Sequence, residues 1–345
     1  MADLAQHAKR TSVPVRQQLS RGWRSGRLAG PVRAAALLVV VYAIFSILSV
    51  DFYATTTTRS LLAFAVPAAL VAVGQTLVVA LGEVDLSVAS VAVLAGIVFT
   101  VAEPHGLLLA FLAAAAVGAA AGLFNGLVTG LLGVPSLVAT LATSFITQGC
   151  SYIIAVRPVV GTRIDLTAAM DRPLGAVLSV RILIGLAVVT LFCAAFALTP
   201  LGRAFYARGS NPHGAALLGL PGRSLVIIGF LASGLLSAGA GVVLAISLNS
   251  ASPVVGGDLL LLSIAACLIG GSRLEGGTGS VVGTVLALLA LLALQTGMDL
   301  VGVSSYWQQV VRGSVLLVAL LAARPERVGG VSLGSRLRLR RPVPA

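Results

Sequence analysis

The sequence predicts an all-α, polytopic membrane protein. Of its 345 residues, 58% are hydrophobic and only 10% are charged, and the mean hydropathy is +1.04. A soluble domain normally carries about 25% charged residues. The chain also contains repeated apolar runs, each long enough to cross about 30 Å of hydrocarbon as a helix. These observations exclude an ordinary soluble domain and indicate one membrane domain.

Ten apolar segments are predicted as membrane helices. The third and eighth are short for a full crossing, so we expect broken or re-entrant helices there, where protein or a water-filled cavity satisfies the backbone. This pattern predicts three parts: a disordered basic tail (residues 1–31), a transmembrane domain (32–323) and a second basic tail (324–345). The predicted segments are 32–50, 60–81, 86–101, 107–132, 136–156, 180–198, 224–247, 259–271, 280–298 and 304–323.

The basic residues predict the orientation of the chain. The formal net charge is +12, from 23 Lys and Arg against 11 Asp and Glu. Most of the basic residues lie in the two tails and in residues 199–223, which ten spans place on one side of the membrane. Because cytoplasmic loops carry an excess of Lys and Arg, we expect both termini to be cytoplasmic. The same distribution argues against a nucleic-acid partner.

The two halves of the chain resemble each other. GEVDL (82–86) and GGDL (256–259) each precede a run of small and apolar residues, and NGLVTGLLGV (125–134) resembles QTGMDLVGV (295–303). The separation between matching landmarks is nearly constant and contains five predicted spans. An odd number of spans inverts the second copy, as in many transporters whose substrate path lies between the halves. We therefore expect two inverted five-helix repeats.

Two carboxylates stand between the second and third spans, and a carboxylate near membrane depth is a functional-site candidate. Three uses remain open for Glu83 and Asp85. Asp85 caps the third helix, with Leu86 as its first residue; Asp85 and Ser87 line a polar substrate path; or the two carboxylates form a proton or sodium relay. Asp258 repeats the capping pattern before the eighth span.

Several other polar side chains lie inside predicted helices. Asn125, Thr140, Thr143 and Gln148 either bond a hydroxylated solute or make interhelical hydrogen bonds. The candidates for the translocation path are Asp85, Ser87, Asn125, Thr140 and Asp258. In the last span, Arg312 either reaches outward to the interface or pairs with Asp258 or Asp299.

One predicted helix face is built for close packing. Gly118, Gly122, Gly126 and Gly130 recur every four residues along the fourth span. Such a ridge of small residues lets two membrane helices approach closely. The pattern predicts a helix contact and says little about the solute.

No pattern of an enzyme is present. GGSRLEGGTG (270–279) resembles a phosphate loop but lacks the Gly-Lys-Ser/Thr ending, and the only lysine is Lys9. We interpret it as a tight cytoplasmic turn. The three histidines are scattered and the three cysteines lie in apolar runs without metal spacing. No metal site, cofactor or catalytic residue is expected, and any ATP hydrolysis must occur on a separate chain.

Residues 199–223 form the only long polar stretch in the middle of the chain, with Arg203, Arg208 and Arg223. Asn211 and Pro212 predict a helix start, and Pro221 ends the segment. A short helix between two membrane blocks is either a docking element for another protein or a solvated connecting loop.

Four motifs occur in order, and at this point the sequence resembles ABC-transporter permeases of the ribose/xylose/galactose type. They are GQTLVVALGEVDLSVASVAVLAG (74–96), NGLVTGLLGVPSLVATLAT (125–143), GRAFYARGSNPHGAALLGL (202–220) and IAACLIGGSRLEGGTGSVVGT (264–284). The resemblance covers most of the chain, from about residue 35 to 323. Glu83 and Ala89 stand where the family pattern usually has glycine.

The resemblance implies an ATP-driven importer subunit in a bacterial plasma (inner) membrane. A pair of permeases, identical or related, forms the path for a small polar solute, most simply a monosaccharide. A cytoplasmic ATP-binding pair drives it and an extracytoplasmic binding protein delivers the solute. Asn211, Ala215, Ala216 and Gly219 then belong to the coupling helix, with the last three matching the Ala-Ala-x-x-Gly core of the docking loop. A self-sufficient secondary transporter that uses Glu83 and Asp85 is the alternative.

Overall fold

The computed structural model describes the backbone of residues 15–322 and the side chains of residues 29–321. Helices dominate this part of the chain, because a long apolar run satisfies its backbone hydrogen bonds internally as a helix. The helices are α1 Val15–Leu48, α2 Thr55–Ala80, α3 Val88–Ala102, α4 Leu107–Gly130, α5 Ser136–Ile154, α6 Ile164–Asp171, α7 Val180–Leu198, α8 Pro200–Ser210, α9 Pro212–Leu217, α10 Gly222–Leu248, α11 Asp258–Ile269, α12 Val281–Leu300 and α13 Ser305–Ala322.

Each predicted span coincides with one of these helices to within five residues, apart from the start of α1. That helix begins at Val15, inside the segment predicted as a disordered tail. Residues 1–14 and 323–345, and with them the C-terminal tail, lie outside the described residues. The division of the chain into a membrane domain and two tails stays a prediction.

Eight helices in the described part are long and apolar enough to cross a membrane. The exceptions among the ten predicted spans are α11, which has only 12 residues, and α13. The eighth span is thus short, as the sequence predicts, while α3 reaches 18 residues once the following 3₁₀ turn at Glu103–His105 is included. The chain is a polytopic all-α membrane protein, and ten crossings stay a prediction.

Helices α2 and α10 form the centre of the bundle. Helix α10 packs against α2, α3 and α4, and helix α12 packs against α1, α2 and α11. The largest apolar core joins buried residues of α2, α3, α10, α11 and α12. Helices such as α1, α4 and α5 instead expose large apolar side chains, including Ile47, Leu108 and Ile153. Such an outer surface suits contact with lipid.

The glycine ridge of α4 makes the predicted close helix contact, and its partner is α10. A Cβ atom on Gly118 would lie 2.4 Å from the carbonyl oxygen of Gly234, and one on Gly122 would lie 2.4 Å from that of Phe230. Only a hydrogen atom fits at these positions, so the two backbones touch. The ridge fixes α4 against the central helix.

A small antiparallel ribbon is the only sheet in residues 15–322. Val159–Val160 pairs with Ser250–Ala251, and α6 lies beside it in the loop that precedes α7. The buried Glu103 accepts a hydrogen bond from the backbone N–H of Thr162 at 3.2 Å. These contacts close the end of the bundle opposite to the 199–223 segment.

Candidate functional site

The link between α2 and α3 carries a buried carboxylate held by neutral donors. Asp85 is 1% exposed. Its Oδ1 accepts hydrogen bonds from the backbone N–H of Ser87 at 2.9 Å and from the Ser87 hydroxyl at 2.6 Å. Its Oδ2 accepts one from the hydroxyl of Ser233, on α10, at 2.9 Å. The carboxylate therefore ties the link to the central helix.

The hydrogen-bond chain continues into α4 and α5. The side-chain amide of Asn125 donates to the Ser87 hydroxyl at 2.9 Å, and its oxygen accepts from Thr143 at 2.6 Å. Thr140 donates to the carbonyl of Ser136 at 2.7 Å and lies 3.4 Å from the carbonyl of Val84 in the link. Four of the five predicted path residues thus meet in one place. We call this group, Asp85, Ser87, Asn125, Thr140, Thr143 and Ser233, the Asp85 network.

The position of Asp85 corrects one prediction. Helix α3 begins at Val88 with Ser87 as its N-cap residue, so Leu86 is not its first residue and Asp85 is not its cap. Among residues 29–321, no basic side chain is within ion-pair distance of Asp85. A buried charge without a counter-ion is costly, and only its three hydrogen bonds compensate for the lost water.

Asp258 lies elsewhere. It is the first residue of α11, it makes no capping bond, and its Oδ2 accepts from Nη1 of Arg312 at 2.6 Å. Of the alternatives for Arg312, the structure selects this ion pair, since Asp299 instead accepts from Gln308 at 2.7 Å. The Asp258–Arg312 pair borders a mainly apolar cavity of about 610 Å³ between α10, α11, α12 and α13. Asp258 is therefore not part of the Asp85 network.

The 211–219 segment is a short exposed helix with both ends fixed. The Asn211 side chain accepts a hydrogen bond from the backbone N–H of Gly214 at 2.8 Å, which caps α9. Gly219 has φ +76, and the N–H of Leu220 donates to the carbonyl of Ala215 at 3.0 Å. This left-handed glycine closes the helix in the manner common at helix C-termini. The predicted helix is confirmed.

The residues of this segment differ in exposure. Ala215 is 4% exposed and faces the protein, whereas Asn211, Ala216 and Gly219 face outward. Leu217 and Leu218 are 77% and 81% exposed. Sequence reasoning missed these leucines because they resemble the apolar residues around them, and it missed Ser233 because a lone serine in a long apolar span has no distinctive pattern.

An ion pair connects the 199–223 segment to the link that carries Asp85. Nη2 of Arg208 lies 3.0 Å from Oε1 of Glu83, and both side chains are largely buried. Arg208 also donates to the carbonyl oxygen of Leu81. Because Glu83 is occupied by Arg208, it is not free to act with Asp85 as a pair of carboxylates.

Glycines hold three segments together at this end of the bundle. A Cβ atom on Gly209 would lie 2.0 Å from the carbonyl oxygen of Ala80, and Gly277 donates its N–H to that same oxygen at 3.0 Å. Gly276 packs against Gly82 in the link. The Gly-rich turn between α11 and α12 therefore contacts α8 and the α2–α3 link, so that movement of one segment must displace the others.

The comparisons with known proteins agree with the resemblance seen in the motifs. The family model described as "Branched-chain amino acid transport system / permease component" matches residues 57–320. No solved structure matches.

Curated relatives match along most of their length. The chain is 35% identical over 295 residues to the ribose import permease protein RbsC of Escherichia coli (strain K12), covering 82% of this chain and 90% of that protein. It is 31% identical over 296 residues to the autoinducer 2 import system permease protein LsrC of Photorhabdus laumondii, covering 84% and 88%. The RbsC protein of Haemophilus influenzae is 31% identical over 305 residues, covering 86% and 94%. The chain therefore belongs to the family of permease components of the branched-chain amino acid transport system type.

Proposed function

We propose that this chain is the membrane-spanning permease subunit of an ATP-driven importer for a small polar solute, a monosaccharide such as ribose or xylose or a related sugar. The observation that carries the proposal is the match over four fifths of the chain to import permeases named for ribose and autoinducer 2. A bundle of apolar helices around a network of hydroxyl, amide and carboxyl groups suits an uncharged, hydroxylated solute, because these groups offer hydrogen-bond donors and acceptors.

The partners follow from this function. A cytoplasmic ATP-binding subunit supplies the energy, an extracytoplasmic solute-binding protein delivers the solute, and a second permease, identical or related, completes the path. The chain lies in the bacterial inner membrane with both termini and the 199–223 segment in the cytoplasm. The excess of arginines in these regions supports that orientation.

The 211–219 segment docks on the ATP-binding subunit. Its outward face combines Ala216 and Gly219 with the exposed Leu217 and Leu218. An apolar side chain that is about four fifths exposed at the polar side of a membrane protein favours contact with another protein. Arg208 and Glu83 then transmit the movement to the link and to the Asp85 network, where Asp85, Ser87, Asn125 and Thr140 border the path.

The ten helices form two inverted repeats of five that rock against each other. Local backbone geometry supports this proposal. Gly133, after α4, and Gly302, after α12, both have positive φ, and each precedes a valine whose N–H bonds back to its helix. The segments 125–134 and 295–303, which match in sequence, therefore also match in backbone conformation.

Reconstitution separates this function from that of a secondary transporter. We compare proteoliposomes that contain the chain alone with proteoliposomes that also contain its ATP-binding subunit and solute-binding protein. Each kind is tested with and without ATP inside, and with an imposed proton or sodium gradient. We expect uptake of labelled ribose only with the ATP-binding subunit and ATP. Gradient-driven uptake by the chain alone would establish the secondary transporter instead.

A further inference from the structure

Two buried polar side chains at the contact between α2 and α10 have no hydrogen-bond partner among the described residues. They are Gln75, whose Nε2 and Oε1 are both unpaired, and Ser237 with its hydroxyl. Both residues are 0% exposed. Buried polar groups in native proteins are almost always paired, and each exception calls for an explanation. Neither residue takes part in the Asp85 network as described above.

The packing of α2 and α10 places these two side chains close to that network. A Cβ atom on Gly74 would lie 3.1 Å from the Cα atom of Ser233, and Val78 packs against Val226 and Phe230. The helices are therefore antiparallel, and Gln75 lies at the edge of the Gly74–Ser233 contact. Ser237 is one turn beyond Ser233 and shares its face, because residues four apart in a helix lie above one another.

The neighbouring position on α2 shows what a purely structural polar residue looks like here. The hydroxyl of Thr76 donates to the carbonyl of Ala72 at 2.7 Å and can accept from the hydroxyl of Thr284, on α12, at 2.9 Å. Thr76 is thus fully satisfied by protein. Gln75 is equally buried, but its amide makes no hydrogen bond to the described residues. An apolar residue of similar size at this position would therefore lose no such bond, which leaves the amide without a structural role.

We propose that Gln75 and Ser237 are solute-binding residues that become exposed when the path opens between α2 and α10. The inference rests on the importer function proposed above. A primary amide presents two donors and an acceptor, and a hydroxyl presents a donor and an acceptor, so each side chain suits a hydroxyl group of an uncharged sugar-like solute. Ser233 and Asp85, at the same helix contact, extend this polar strip.

The first test replaces Gln75 by leucine. We expect the purified Gln75→Leu protein to unfold at the same or a higher temperature than the unchanged chain, because an unpaired amide is removed. Uptake of labelled ribose, with the ATP-binding and solute-binding proteins present, should fall about tenfold, as expected when one or two solute hydrogen bonds are lost. The matched control is Thr76→Val, which should lower the unfolding temperature and leave uptake per folded protein unchanged.

The second test does not depend on the identity of the solute. In a chain whose native cysteines are replaced, Gln75→Cys, Ser237→Cys and Leu288→Cys are treated with 2-aminoethyl methanethiosulfonate. Leu288 is 0% exposed in the apolar core. During ATP hydrolysis, cysteines at 75 and 237 should react at least tenfold faster than at rest, and the cysteine at 288 should stay unreactive.

The outcomes separate the two proposals. If the unchanged chain transports ribose but Gln75→Leu transports normally, or the cysteines at 75 and 237 stay as unreactive as that at 288, the solute-binding role is wrong and the importer function stands. If the unchanged chain, assembled with the ATP-binding and solute-binding proteins, supports neither ATP hydrolysis by the ATP-binding subunit nor uptake of ribose, the importer function itself fails.

Discussion

Replacing Asp85 tests whether its carboxylate holds the α2–α3 link in place. In Asp85→Ala, the buried N–H of Ser87 loses its hydrogen-bond acceptor, the carboxylate oxygen Oδ1 at 2.9 Å. Leaving a buried donor unpaired costs about 1–3 kcal/mol. The Ser233 hydroxyl can turn to a carbonyl of its own helix, and the Ser87 hydroxyl keeps its bond from Asn125. Relief of the buried charge offsets any further loss, so we expect a destabilisation of about 1–3 kcal/mol.

The isosteric Asp85→Asn substitution separates shape from charge. The asparagine oxygen can accept both bonds from Ser87, and its Nδ2 can donate to Ser233 after that hydroxyl rotates, so the loss should stay below about 1 kcal/mol. If the α2–α3 link needs only these hydrogen bonds, the Asp85→Asn protein keeps most of its ribose uptake. A proton or sodium relay needs an ionisable group and would lose uptake completely.

The assay is thermal and denaturant unfolding of purified protein in detergent, followed by circular dichroism, with ribose uptake measured on the same variants in reconstituted importer. The control is Asp165→Ala, which removes an exposed carboxylate whose pair with Arg163 is 3.3 Å long. Exposed pairs contribute about 0–1 kcal/mol. An Asp85→Ala protein as stable as the Asp165→Ala protein would refute the reasoning.

Three further predictions concern packing, docking and transmission. Gly118→Val drives a side chain into the carbonyl of Gly234, so overpacking should destabilise the protein by about 1–3 kcal/mol in the same unfolding assay. Ala216→Arg places a charged side chain on the exposed docking face and should abolish ribose uptake and binding to the ATP-binding subunit, with membrane insertion unchanged. Glu83→Arg and Arg208→Glu should each reduce uptake about tenfold by breaking a largely buried ion pair, and the double swap should restore uptake in part.

Each of these predictions has its own control. A Cβ atom on Gly149, on α5, would meet no atom within 4 Å, so Gly149→Val should not cause overpacking. Normal transport in Ala216→Arg would show that the 211–219 segment does not dock. Restoration in the double swap stays partial because a glutamate at position 208 cannot donate to the carbonyl of Leu81. If the double swap is no better than the single variants, the ion pair does not transmit movement.

The sequence predicted the helices well because hydrocarbon imposes a simple rule: an apolar run of sufficient length must be helical. The same rule gives no information on depth or register. It therefore placed the start of α3 two residues early, and this made a helix cap one of the interpretations of Asp85. Asp258 shows the same limit, since an aspartate before an apolar run has the same local pattern whether it caps a helix or pairs with Arg312.

The Asp85 network could be predicted only in pieces. Asp85, Asn125 and Thr140 attracted notice as polar residues in apolar surroundings, but nothing in the chain order brings residue 85 to Ser233. That contact depends on how α2 and α10 pack, and their packing depends on where glycines and serines let two backbones approach.

By itself, the sequence determined that the chain is a helical membrane protein with a permease-type set of motifs, because composition and hydrophobic length are properties of the chain alone. Only the tertiary structure decided which polar groups meet. It joined Glu83 to Arg208, gathered the Asp85 network and separated Asp258 from it. It also buried Gln75 with no hydrogen-bond partner among residues 29–321. The physical reason is that hydrogen bonds and ion pairs act over a few ångströms, and only packing brings residues that are far apart in sequence within that distance.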